Sequence, residues 1–175
     1  TRDHVFTRRE LREILPEQNG GTDTVPQLLT KNPEDFLWAA GELAAMGYRE
    51  VNLNLGCPSG TVTAKGKGAG MLADPAGLER FLDRIFAAPP LAVSVKTRLG
   101  MRDPEEFGPL LELFCRYPIR ELILHPRVRE DFYRRPARRE AFAAALPRCT
   151  LPVCYNGDLF TAGQCAAFQA EYPGV

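Results

Sequence analysis

Residues 51 to 75 read VNLNLGCPSGTVTAKGKGAGMLADP, and the fold turns on how this stretch divides. The alternation Glu50-Val51-Asn52-Leu53-Asn54-Leu55 is that of a short strand. Asp74-Pro75, followed by Leu78, Phe81, Leu82, Ile85 and Phe86, has the side-chain cap and apolar spacing of an amphipathic helix. Between them, Gly56 to Ala73 holds a thiol at its root, a proline and a run of glycines. The spacing predicts a long loop without regular structure of its own, and in compact domains such loops are functional or disordered. The glycines at 66 to 70 also read, taken alone, as a flexible surface loop.

The same strand-then-helix grammar repeats on either side. Thr24 to Leu29 is a candidate strand, and Asn32-Pro33-Glu34-Asp35 starts a helix to about Met46, with Gly47 as its left-handed stop. Leu91 to Lys96 reads as a third strand, with Asp103-Pro104-Glu105-Glu106 opening the helix of Phe107, Leu110, Leu111 and Phe114. Glu121 to Leu124 is a fourth strand ending at His125. A helix through Phe142 and Leu146 leads to a fifth strand, Pro152 to Tyr155, and Thr161 opens the last helix. Thr1 to Gly21 reads as a weakly patterned polar lead-in, and the chain ends in Pro-Gly-Val with no closing element.

Five strands alternating with helices imply βα units and a parallel sheet. An open doubly wound sheet with a dinucleotide fingerprint is disfavoured, because Gly66 and Gly68 are followed by Met71 where the third glycine belongs. A P-loop fails as well: Gly66-Lys67 is followed by Gly68, where Ser or Thr is required. A (β/α)8 barrel instead places polar residues at the C-terminal ends of successive strands. The chain has Asn54 and Cys57 after one strand, Lys96 and Arg98 after the next, His125 and Arg127 after the next, and Asn156 with Asp158 after the last. Each has a bland reading: a buried cysteine as a small hydrophobe, a lysine as a solvated end, Asn156-Gly157-Asp158 as a turn. Their recurrence in register favours one shared site.

Composition sets the outer bounds. The 175 residues are 45% hydrophobic and 25% charged, enough for one domain with a core, and Lys+Arg 22 balance Asp+Glu 22, so net charge points to no partner. The arginines at 127, 129, 134, 135, 138 and 139 form either a solvated face or a phosphate-binding patch. Five cysteines, odd in number and without a Cys-x-x-Cys pair, argue against a disulfide framework or a zinc site, so no metal is expected. No apolar run is long enough to span a bilayer and the first residues do not read as a charged-apolar-small leader, which predicts a cytoplasmic protein.

Asn54-Leu55-Gly56-Cys57-Pro58-Ser59 with the glycine-rich segment, Val95-Lys96-Thr97-Arg98-Leu99-Gly100, Leu124-His125-Pro126-Arg127 and Asn156-Gly157-Asp158 resemble, in order and spacing, the motifs of the flavin-dependent tRNA-dihydrouridine synthases. The resemblance runs from about Val25 to the C-terminus. It lacks a counterpart of the family's first strand, its Gly-Arg-Gly phosphate segment and its C-terminal helical RNA-binding domain. It therefore implies a partial α/β barrel of the (β/α)8 type, with residues 1–175 supplying about five units of the catalytic domain. It further implies FMN reduced by NADPH, tRNA as substrate, and reduction of uridine to 5,6-dihydrouridine, with no obligate protein partner. Cys57 would donate a proton to C5 of the base, as a mostly protonated thiol can. Asn54 would hold the uracil edge, Lys96 would offset negative charge on the reduced flavin, and Gln27, His125, Asn156, Gly157 and Asp158 would contact the cofactor. Arg98 and Arg127 would grip substrate or flavin phosphate. Two other readings stand beside it: a barrel flavoenzyme reducing a free pyrimidine or enone, and a non-catalytic RNA-binding barrel fragment.

Overall fold

The structure, a computed structural model, describes residues 4–20 and 22–175. Its sheet is built from β1 (Gln27–Leu28), β2 (Glu50–Leu55), β3 (Ala92–Gly100), β4 (Leu122–Val128) and β5 (Val153–Tyr155), all parallel and lying in the order β1-β2-β3-β4-β5. Spatial order equals chain order. A doubly wound sheet must reverse its strand order, and this one does not, so the five units follow one another as in a (β/α)8 barrel, with three units fewer.

Helices α2 (Pro33–Ala45), α4 (Pro75–Phe86), α5 (Phe107–Phe114), α6 (Arg139–Ala145) and α7 (Ala162–Glu171) complete the units, after α1 (Arg8–Ile14) and with a one-turn helix α3 (Gly60–Thr63) inside the second. Their starts follow from side-chain chemistry. Asn32 Oδ1 accepts from Glu34 N at 2.9 Å, Asp74 Oδ1 from Gly77 N at 2.9 Å and Thr161 Oγ1 from Gln164 N at 3.2 Å. Gly47 at φ +95° takes the left-handed stop after α2.

The two faces of the sheet differ in chemistry because strand side chains alternate. Val51, Leu53 and Leu55 of β2, Val93 and Val95 of β3, and Leu122 and Leu124 of β4 are buried in one core with Phe36 and Leu43 of α2, Leu78, Leu82 and Ile85 of α4, Leu110 and Phe114 of α5 and Phe142 of α6. Each such side chain contributes about 1.5–3 kcal/mol by leaving water. With exceptions such as Ile123, the intervening positions of β1 to β4 are polar and face the other way: Gln27, Asn52, Asn54, Ser94, Lys96, Arg98, His125 and Arg127.

Three readings of the sequence are corrected. Thr1 to Gly21 is not all lead-in: within its described part, Thr7 and Glu10 form a reciprocal capping box that opens α1, and Tyr48 Oη ties the end of that helix by donating to Ile14 O at 2.7 Å. Residues 1–3 and 21 of that stretch lie outside the described residues. Gly56 to Ala73 is not a structureless loop. It holds α3 and a 3-10 helix, Gly68–Ala73, in which Gly68, Ala69, Met71 and Leu72 are buried. β3 and β4 run beyond their expected ends, to Gly100 and Val128, because Thr97, Arg98, His125 and Arg127 are buried strand residues despite their polarity.

Candidate active site

The second βα junction positions the thiol. Asn54 Oδ1 accepts the backbone N–H groups of Gly56 (3.1 Å) and Cys57 (2.9 Å), so one side chain folds the turn out of β2 and sets where Cys57 stands. The glycine-rich segment then returns to the same place, with Ala69 N donating to Cys57 O at 3.1 Å. Gly68 lies at φ +56°, and a Cβ there would stand 2.9 Å from both Cys57 Cβ and Cys57 O. Gly68 therefore forms a packed seat against the half-buried Cys57.

Asn54 also belongs to a chain of amides across three strands. Its Nδ2 donates to Gln27 Oε1 (2.7 Å), Gln27 Nε2 to Asn52 Oδ1 (2.7 Å), and Asn52 Nδ2 to Ser94 Oγ (2.9 Å). Each amide oxygen in the chain already accepts at least one hydrogen bond, and Asn54 Oδ1 accepts two, while Gln27 and Asn54 each keep one N–H for a ligand. Asn52 and Ser94 are buried participants that reading the sequence missed; their polarity at alternate strand positions beside Asn54 and Lys96 was the available signal.

Lys96 lies opposite Asn54 in the β2–β3 register. Burial first, and then the like charge of Arg98, push its ammonium pKa down, so an electron-rich ligand beside it would be favoured.

Arg98 and Arg127 are placed otherwise than as open phosphate grips. Arg98 is 2% exposed, and its fork donates to Gly56 O (Nε, 2.8 Å), Val128 O (Nη1, 3.2 Å) and Phe132 O (Nη1, 2.9 Å), joining the β2 turn to the end of β4. Arg127, 5% exposed, donates through Nη2 to both oxygens of Asp158 (2.8 and 2.7 Å), through Nε to Arg135 O, and through Nη1 to His125 Nε2 (2.8 Å). Both guanidinium groups act in the structure as buried organisers.

His125, 8% exposed, faces Arg98 across the β3–β4 register, and its Nδ1 lies 3.3 Å from Asn156 Oδ1. Its pKa is pushed down to about 4, by burial first and by the positive charges of Arg98, Arg127 and Lys96, against the hydrogen bond to Asn156. Burial opposes ionisation of Asp158, but the Ala137 N–H and Arg127 outweigh it and hold that carboxyl below the usual range. Gly157 lies where a Cβ would meet Ala137 Cβ at 2.9 Å, so the turn after β5 is closely packed.

The arginine run between β4 and α6 is largely paired. Asp131, buried, accepts from Arg138 and lies 3.5 Å from Arg135, Arg129 donates to Thr63 Oγ1 at 3.1 Å, and Arg139 pairs with Glu171 at 2.6 Å. Phe132 at φ +50°, under the guanidinium groups of Arg129 and Arg134, turns the chain so that Tyr133 emerges 70% exposed, its ring edge-on to His125 at 5.8 Å. Tyr133 carries no motif in the sequence, so only the structure brings it to the site.

The strand-end residues thus form two hydrogen-bonded groups, Gln27-Asn52-Asn54-Cys57 and His125-Arg127-Asn156-Asp158, with Arg98 between them. A cavity of about 580 Å³ lies instead at the opposite ends of the strands, lined by Thr24, Glu50, Ala92 and Arg120. It contains none of these groups, and parallel βα sheets of the barrel type place their chemistry at the C-terminal strand ends. Among the described residues no cluster of three or more His, Cys, Asp or Glu could hold a metal, and no helix is long and apolar enough to cross a membrane.

The sequence profile for Dihydrouridine synthase (Dus) matches residues 1–175. A probable tRNA-dihydrouridine synthase 1 from Synechocystis sp. is 35% identical over 162 residues, covering 90% of this chain and 44% of its own length. A tRNA-dihydrouridine(16) synthase from Ralstonia nicotianae is 34% identical over 171 residues (91% and 51%), and one from Escherichia coli is 32% identical over 177 (94% and 56%). The chain spans about half the length of the curated relatives it matches. With the profile matching all 175 residues and a parallel sheet in chain order, the chain belongs to the dihydrouridine synthase family.

Proposed function

We propose that this chain forms the part of a flavin-dependent tRNA-dihydrouridine synthase that carries the proton donor and the cofactor's charged contact. The observation that carries the reading is Cys57, held by Asn54 at the end of β2, with Lys96 opposite Asn54 on the neighbouring strand. The donor set fits an electron-rich ring system: Gln27, Asn54 and Lys96 offer N–H groups while the amide oxygens are engaged inside the protein. Gln27, Lys96, His125 and the Asn156-Gly157-Asp158 turn are the residues that would hold FMN. When bound and reduced by NADPH, FMN supplies the hydride that enters C6 of the uracil.

The rest is the work of the chain. Cys57 delivers a proton to C5, and solvent returns one to the thiolate. Asn54 fixes the thiol's position and keeps one N–H for a carbonyl of the base. Arg98 and Arg127 hold the surrounding loops. Tyr133 offers an aromatic face on which a base removed from the RNA stack can rest.

The test is single-turnover oxidation of prereduced full-length enzyme by unmodified tRNA, normalised to folded protein. Cys57→Ala is expected to retain flavin and tRNA binding and to lose about 10²- to 10⁴-fold in rate. An unchanged rate removes Cys57 from the chemistry. The names of the Ralstonia and E. coli relatives specify position 16, and we propose that uridine as the target; mapping dihydrouridine in tRNA from a deletion strain checks it.

A further inference from the structure

We infer that Arg127 is a positioning residue: it holds His125 as the neutral tautomer with its proton on Nδ1, and through His125 it turns the Asn156 amide so that the NH2 group is left for a ligand. Arginine has no acceptor atom, so its Nη1, 2.8 Å from His125 Nε2, must be the donor and Nε2 must carry a lone pair. The ring proton of a neutral imidazole is then on Nδ1, which faces Asn156 across 3.3 Å. The amide atom that receives it is Oδ1. Asn156 is exposed, and among the described residues its Nδ2 makes no hydrogen bond, so it presents two free N–H donors while its oxygen is turned to the ring.

Arg127 cannot readily turn away. Both oxygens of Asp158 grip its Nη2, the carbonyl of Arg135 takes its Nε, and Asp158 is itself fixed by the Ala137 N–H at 2.7 Å. The cations around the ring act in the same sense. Lys96 and Arg98 of β3 and Arg127 of β4 are cations, the carboxylate of Asp158 is bound to Arg127, and the remaining neighbour, Tyr133, meets the ring edge-on. Protonating Nε2 would set an N–H against the Nη1–H of Arg127. A phosphate or carbonyl arriving here therefore meets a neutral histidine and an asparagine donor, and positive charge only from lysine and arginine.

This deepens the flavin reading, since it says which ligand atoms Asn156 can meet, yet the tautomer is a property of the protein alone. Long-range ¹H–¹⁵N spectra of protein labelled with ¹⁵N-histidine read it directly, with His125→Asn identifying the signal. The expected result at pH 7 is a protonated Nδ1 and a bare Nε2, unchanged down to pH 5. Arg127→Met should mix the tautomers and move the titration midpoint from about 4 toward the ordinary 6.5. A protonated Nε2 in the unaltered protein overturns the inference, as does an unchanged tautomer and midpoint in folded Arg127→Met. If that variant does not fold, a ¹⁵N–¹⁵N coupling across the Arg127 Nη1 to His125 Nε2 hydrogen bond decides in the unaltered protein: its presence supports the lock and its absence overturns it. A protein with the expected tautomer that reconstitutes no flavin keeps this inference and loses the functional reading. A flavin-binding protein with the proton on Nε2 does the reverse.

Discussion

Gly68 shows how closely the site depends on single atoms. Its backbone is in the left-handed region, and the volume where a Cβ would go is already occupied by Cys57. Gly68→Ala is expected to cost about 1–2 kcal/mol from the backbone alone, with a further penalty as Cys57 is displaced. Urea melts should show the first effect and a changed rate of thiol labelling at Cys57 the second. His125 predicts a pH dependence. The unfolded chain protonates this histidine near pH 6.5 while the folded protein resists until about 4, so between those values the unfolded state holds the extra proton and stability falls on acidification. The loss from pH 7 to 5 should be about 2 kcal/mol, and His125→Gln should remove most of that slope in urea midpoints. Asp131 and Asp158, with carboxyls held below the usual range, lose their contributions only at lower pH, as they take up protons. At this scale much of the site was legible, because Asn54, Cys57, Lys96, His125 and Asn156 stand at strand ends in a recurring pattern. Tyr133 and the roles of the two arginines were not, since a string of letters does not reveal which carbonyls a guanidinium will meet.

At the scale of elements, the joint between the second and fourth βα units rests on Arg98. Replacing it with Met fills a similar volume but leaves the carbonyls of Gly56, Val128 and Phe132 without their donor. Arg98→Met should destabilise the protein by roughly 2–4 kcal/mol, measured by thermal or urea unfolding, even where flavin contacts are untouched. Helix starts were readable because Asn32, Asp74 and Thr161 cap by local hydrogen bonds that depend on sequence neighbours alone. The same grammar was present and overlooked in Thr7-Arg8-Arg9-Glu10, where arginines masked a capping box. The structure of the glycine-rich segment was hidden for a different reason: Ala69, Met71 and Leu72 gain their burial from β2, β3 and α4, which no local pattern records. Strand ends at Gly100 and Val128 were missed because burial of Arg98 and Arg127 depends on partners far away in the chain.

For the whole molecule, the consequence of the strand order is an open sheet. Among the described residues β1 and β5 each pair on one side only, so two ladders of backbone groups are left without strand partners. The 175-residue chain produced alone is expected to self-associate; sedimentation showing a monodisperse, cooperatively melting monomer would contradict this. The fold class was readable from alternation and the failure of the glycine fingerprints. The order that does not reverse was readable only indirectly, from the polar residues recurring at successive strand ends that favoured a barrel over a doubly wound sheet. That order also bears on how the protein is made. Each strand from β2 to β5 docks on the one translated just before it, so the sheet can grow in the direction of synthesis, each finished unit templating the next as it leaves the ribosome. The growing edge is then always the newest strand, and a pause in translation after β3 would strand Lys96 and Arg98 at a bare margin. Such a protein is most exposed to misassembly as a nascent chain, and slow codons would be best tolerated in the helices, where the preceding strand is already laid down.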